Sequence, residues 1–162
     1  MSESYNERRE ALQERFKCTI GDYCIIDDDV TIGIGTVIKN YVELRSGTVI
    51  GEGCYIDSGV KMSGNCVIGD NCTIRYDAII ARGVKIGEQS YICPQVMFNN
   101  LDSKKKPIGG AKIGERCFIG TNTTLNYGIS IADYTTIGAK SLVLKDITYL
   151  HTTWMGIPAK QK

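Results

Sequence analysis

The amino-acid sequence predicts an all-β parallel solenoid with three short strands per turn, and three regularities carry that reading. An aliphatic or large apolar residue recurs at every sixth position from Ile20 to Phe98, and the same period resumes from Ile113 to Val143. A period of six suits neither an amphipathic helix nor an alternating strand, but it suits a solenoid that turns one large side chain inward per strand. Two residues before each large one stands a small or β-branched residue, such as Cys54 before Ile56 and Ala78 before Ile80, as a tapering interior requires. Glycine follows the large residue at Gly33, Gly51, Gly69 and Gly87, eighteen apart, where a tight corner favours a residue without Cβ. Eighteen residues therefore make one coil, and nearly seven coils at about 4.8 Å per rung give a prism roughly 30 Å long.

Along the chain, residues 1–16 form a helical cap and residues 17–162 the solenoid. In the cap, Ser4 and Glu7 stand in capping-box spacing, and Tyr5, Leu12 and Phe16 share roughly one face. A cap is needed because the first coil of a solenoid is otherwise an unpaired strand edge. Phe98 and Ile113 are fifteen residues apart instead of six, so nine residues have been inserted without changing the phase. The insert falls within Asn99 to Gly110, polar and closed by a proline and two glycines. Loops leaving a rigid scaffold are where binding and catalysis concentrate, and this one carries the only basic cluster, Lys104 to Lys106.

Composition narrows the classes. Nineteen basic against eighteen acidic residues leave a formal charge of +1, which gives no reason to expect nucleic acid or an anionic membrane as partner. No stretch of about 18 apolar residues exists and the N-terminus is polar, so a soluble cytoplasmic protein is expected. Six of the seven cysteines (Cys18, Cys24, Cys54, Cys66, Cys72 and Cys117) occupy the small inward position, where cysteine acts as a small hydrophobe. Reduced core thiols are expected, including Cys54 and Cys72 on consecutive coils. Cys93 instead follows an inward residue, at a corner expected to be exposed.

From Cys18 to roughly Leu144 the repeat resembles that of the hexapeptide-repeat acyltransferases. The closing residues Lys140, Lys145, Gly156, Ile157, Pro158, Ala159 and Lys160 resemble the family's final motif, a lysine-bearing coil followed by a strand with Gly-aliphatic-Pro-Ala. The resemblance implies a left-handed parallel β-helix, acetyl-CoA as cosubstrate with no metal, and a homotrimer whose sites lie in the grooves between prisms. It implies coenzyme A binding by Lys140, Lys145, Gly156, Pro158 and Lys160, the lysines meeting phosphates as point charges.

Pro94, Phe98 and Asn100 match positions of nucleotide-amino-sugar N-acetyltransferases, although Tyr76 and Asp77 stand where that subgroup often carries paired asparagines. Position then makes Asp77, Asn99 and Asn100 the candidate catalytic residues and Tyr76, Asp102 and Lys104 the candidate substrate-binding ones. Sugar O-acetyltransferases of the family often place a histidine in the insert as general base on a hydroxyl; here the single histidine, His151, lies beyond the last clear hexad. An N-acetyltransferase on an amino sugar, nucleotide-linked, is the expected activity. A sugar O-acetyltransferase and a non-catalytic trimeric scaffold are the alternatives. A zinc-dependent carbonic anhydrase on the same coil needs three histidine ligands, and one histidine excludes it.

Overall fold

The computed structural model describes residues 3–162. After one helix, α1 (Glu3–Phe16), the chain runs through a parallel β-solenoid of two-residue strands. Its three faces are sheets of nine, seven and six strands. The first face begins at Thr19–Ile20, the second at Ile25–Ile26 and the third at Thr31–Ile32. Each strand pairs in parallel with the one eighteen residues on, Ile38 opposite Ile56 and Leu44 opposite Met62. Across the insert Ile86 still lies opposite Ile113, so the phase is preserved as expected. The second residue of each strand points inward: Ile38, Ile56, Ile74, Ile92 and Ile119 are fully buried in one column. Hydrogen bonds between coils satisfy the backbone, and the stacked aliphatic columns supply the apolar burial that outweighs chain ordering.

Several local expectations change. The glycines at positions 33, 51, 69 and 87 have no positive φ. They are needed because the coils approach there: a Cβ on Gly69 would stand 2.7 Å from the Glu88 backbone nitrogen. The left-handed turn conformation falls instead two residues later in each corner, at residues including Gly35, Gly53, Asn71 and Gln89. Cys93 is buried, because the next coil folds over it; burial pushes its thiol up, with a hydrogen bond from Thr121 opposing. All seven cysteines are free, and the Cys54 and Cys72 thiols each donate to a carbonyl of the following coil, Gly69 and Gly87, at 3.1 Å.

Helix α1 is already under way at Glu3, so Ser4 and Glu7 lie inside its first turns and not at its boundary. Leu12 and Phe16 pack against the core. Gln13 accepts the Ile20 N–H and the Tyr5 hydroxyl accepts the Cys24 N–H, both at 2.8 Å, so the helix closes the bare edge of the first coil. At the other end Gly156 to Ala159 form a turn and not a strand. The turn joins Thr153–Met155 to Lys160–Gln161, an antiparallel pair that closes the first sheet. Among the described residues no helix is long and apolar enough to cross a membrane.

Candidate functional site

Three corners run the length of the prism, and they sort the candidate residues. The corner between the first and second faces holds Tyr76, Asp77, Lys140, Gly156 and Pro158. The corner between the second and third faces holds Asn99, Asn100, Asp102, Lys104 and Lys145. His151 lies on the remaining corner, its ring stacked on Tyr134 with centroids 4.4 Å apart.

On the first corner the Gln95 N–H donates to the Tyr76 carbonyl, that of Asn122 to Pro94, and that of Lys140 to Thr121. Asp77, Gln95, Asn122 and Lys140 are therefore successive rungs of one column, and three rungs separate Asp77 from Lys140 by about 14 Å. Asp77 is exposed, with a φ of 58°, and its carboxylate leans over Gly59 of the preceding coil. Beside it Arg75 bridges three coils. Its Nε donates to Asp57 Oδ2 at 3.0 Å, its Nη1 donates to the Tyr91 hydroxyl at 2.9 Å, and its guanidinium lies 5.6 Å from the centre of the Tyr76 ring. Arg75 escaped the sequence reading. A signal existed: Asp57 and Arg75 are eighteen apart and of opposite charge, so they had to stack.

The insert is a short arm. Leu101 and Pro107 form an antiparallel bridge, and the Ile108 N–H donates to the Asn100 carbonyl at 3.0 Å. Asp102 Oδ1 accepts the N–H groups of Lys104 and Lys106, both at 2.9 Å, so that oxygen shapes the turn that presents Lys104 to Lys106 to solvent. Asn99 is exposed and Asn100 half-buried at the arm's base. In a single chain the arm and Asp77 occupy opposite edges of the second face, so the candidate catalytic residues Asp77, Asn99 and Asn100 are not brought together.

At the last coil a cavity of about 330 Å³ has Val143, Ile147 and Trp154 as its apolar lining and Lys145, Pro158 and Lys160 among its other walls. It gathers three of the five candidate coenzyme residues; Lys140 and Gly156 lie outside its lining. Trp154 is half-buried opposite Ile137 and donates from Nε1 to Thr152 Oγ1 at 3.0 Å, packing over the last coil. A larger cavity of about 450 Å³ lies between α1 and the first coil, lined by Tyr5, Arg8, Arg9, Leu12 and Ile25 among others. It contains none of the candidate residues, and its arginines pair with Asp28 and Asp22. Among the described residues no group of three His, Cys, Asp or Glu side chains is placed to hold a metal ion.

The family model described as bacterial transferase hexapeptide (six repeats) matches residues 47–82 and 65–100, and the hexapeptide repeat of succinyl-transferase matches 110–143. Together the two cover more than half of the chain, on both sides of the arm. The chain belongs to the hexapeptide-repeat transferases.

Solved structures share the solenoid. The UDP-N-acetylglucosamine O-acyltransferase LpxA of Moraxella catarrhalis aligns with a TM-score of 0.63 at 23% identity, over 90% of this chain and 67% of its own. A point mutant of AntD, an N-acyltransferase from Bacillus cereus in complex with dTDP and coenzyme A, gives 0.53 at 15%, over 94% and 87%. PerB from Caulobacter crescentus, in complex with CoA and GDP-perosamine, gives 0.47 at 21%, over 98% of this chain, which spans 64% of PerB's length. At these identities the likeness is one of fold. No curated protein sequence matches the chain significantly.

Proposed function

We propose that this chain is an acetyl-CoA-dependent N-acetyltransferase acting on the primary amine of an amino sugar, nucleotide-linked. One observation carries the reading: Lys140 and Asp77 share an uninterrupted corner about 14 Å apart, a span suited to an extended pantetheine arm, while the only histidine faces another corner. Phosphates of coenzyme A are held at the closing end by Lys140, Lys145 and Lys160, with Gly156 and Pro158 shaping the turn. The cavity at the last coil takes the apolar part of the nucleotide. The thioester then lies near Asp77.

The chemistry asks little of a base. A neutral amine attacks the thioester carbonyl, a C–N bond forms, and the C–S bond breaks as coenzyme A leaves as thiol. The enzyme's contribution is to orient the two reactants and to stabilise the oxyanion with corner N–H groups. The amine proton passes to Asp77 or water after attack. A hydroxyl acceptor would instead need a base in the transition state, worth about 10²- to 10⁴-fold, and His151 stands at the last coil, more than three rungs above the level of Asp77.

The arm completes the site from a second copy. In a homotrimer with parallel axes, Asn99, Asn100 and Lys104 of one chain face Tyr76 and Asp77 of the next, and Asp102 keeps the turn in shape. A panel of nucleotide-linked amino sugars and their hydroxyl counterparts, assayed with acetyl-CoA for the parent and His151→Ala, tests the reading. Preference for amines with His151 dispensable is expected. Preference for hydroxyls, or a loss beyond about a hundredfold on removing His151, would establish the O-acetyltransferase; no thioester consumption and no thermal shift with coenzyme A would leave a scaffold.

A further inference from the structure

Below Asp77 the same corner carries an aromatic ledge. Tyr23 and Tyr41 occupy successive rungs with ring centroids 5.1 Å apart and planes within 5°, and they are 53% and 60% exposed. Both sit at positive φ, 58° and 59°, the left-handed turn position that recurs at the corners of the prism. Neither ring is needed to fill the core.

The next residue up the column is Gly59, with a φ of 75° and no side chain. No side chain from that rung covers the face of Tyr41, and the rung above supplies Asp77, whose carboxylate leans down over the glycine. Two rungs, about 9.6 Å, therefore separate the Tyr41 rung from the Asp77 rung. Asp77 Oδ1 fills the place that a Cβ of Gly59 would take, so a ring stacked about 4.5 to 5 Å above the outward-pointing ring of Tyr41 lies beside that oxygen, with an exocyclic amine in reach of it. Ser58 precedes Gly59 in its turn and adds a hydroxyl on one flank, while Asn40 turns its Oδ1 down to accept the Asp22 N–H at 2.9 Å. Planar apolar contact below and a carboxylate oxygen and a hydroxyl beside suit a saturated sugar ring carrying an amine.

We propose that Tyr41, Gly59 and Asp77 form the slot for the acceptor sugar, the pyranose stacked on Tyr41 with its amine turned to Asp77. The inference rests on the acyltransferase reading above and supplies its missing half. The donor descends the corner from the last coils, the acceptor ring stands on the ledge from below, and the two meet at Asp77. Tyr23 backs Tyr41 and keeps its ring level.

Saturation-transfer NMR with UDP-glucosamine as the probe tests the slot on the full chain. In the parent, the sugar-ring protons are expected to take up more saturation than the uracil protons. Tyr41→Asn, which keeps a residue at ease with positive φ, is expected to raise the dissociation constant about tenfold, the worth of one stacked ring. Tyr41→Phe, which keeps the ring, stays within about twofold of the parent. Strongest saturation at uracil, no saturation of the sugar, or equal affinity of Tyr41→Asn and parent would each overturn the slot. The thermal shift with coenzyme A, read on the same samples, separates the two claims: if it persists while the sugar signal fails, the slot is wrong and the acyltransferase reading stands.

Discussion

Removing Leu101 to Gly109 deletes the nine residues that lengthen one hexad and rejoins Asn100 to Gly110, restoring the ordinary six-residue step from Phe98 to Ile113. The connection between Met97–Phe98 and Lys112–Ile113 then shrinks from 13 residues to 4. Shortening it lowers the entropic cost of closure by about 1 kcal/mol. Against this stand the lost bonds inside the arm, two of them from backbone N–H groups to Asp102, each worth about 1 kcal/mol net. No deleted residue is buried: Leu101 and Ile108 are each 46% exposed, and only Asp102 is half-covered. The arm's five hydrogen bonds serve to order the residues that the deletion removes, and fixing each of those costs about 1 kcal/mol or more, so the melting temperature is expected to stay within about 5 °C of the parent, since 1 kcal/mol corresponds to about 2 to 4 °C at this size. Turnover, by contrast, is expected to fall at least about a hundredfold, because the arm's contacts orient the acceptor. Calorimetric melting and a thioester-consumption assay measure the two. An unfolded variant would refute the argument that the phase survives the insert, and full turnover would show that the arm takes no part in the site.

Three further outcomes are expected. Replacing Lys145 and Lys160 together by alanine is expected to weaken coenzyme A binding about tenfold at low ionic strength and much less at 1 M salt, where the Debye length is about 3 Å; calorimetric titration that finds no change removes both lysines from the site. Gly69→Ala should destabilise by more than about 2 kcal/mol because its Cβ meets the Glu88 backbone. Gly35→Ala, whose Cβ has open space but whose φ is 72°, should cost about 1 kcal/mol, and equal melting of the two variants would contradict the distinction. Burial pushes the Cys66 thiol above its ordinary value. Its contribution is thus complete below the unfolded thiol's pKa and lost as pH rises through the higher folded one. The stability advantage of the parent over Cys66→Ala should therefore shrink above about pH 9, and an advantage constant up to pH 11 in urea titrations would contradict the assignment.

The inward columns were legible because one face of every strand must be buried, so Ile38 or Leu125 announces its strand by spacing alone. The shared corner of Asp77 and Lys140 was legible too: once the insert is subtracted, they stand three whole coils apart. What spacing does not encode is the contact between coils. Gly69 reads as a turn glycine until the next coil is seen against it, and Cys93 as exposed until residues 120 and 121 fold over it. Asp102 illustrates the same limit at the site. An acid in a polar loop suggests a ligand group, yet one of its oxygens holds the loop's own backbone. Arg75 was legible toward Asp57, eighteen residues before it, but its bond to Tyr91, sixteen residues on, follows no whole-coil spacing.

The constant rise of the corner column makes the molecule a gauge. Distance along it is counted in whole coils, about 4.8 Å each, and cannot be adjusted by small shifts of a loop. A change of one coil between Asn122 and Lys140 would lengthen the interval by one division while leaving every side chain on its own corner. A reach for a longer or shorter donor is thus available to this architecture through duplication or loss of eighteen residues, a discrete change that point substitution along the prism cannot reproduce.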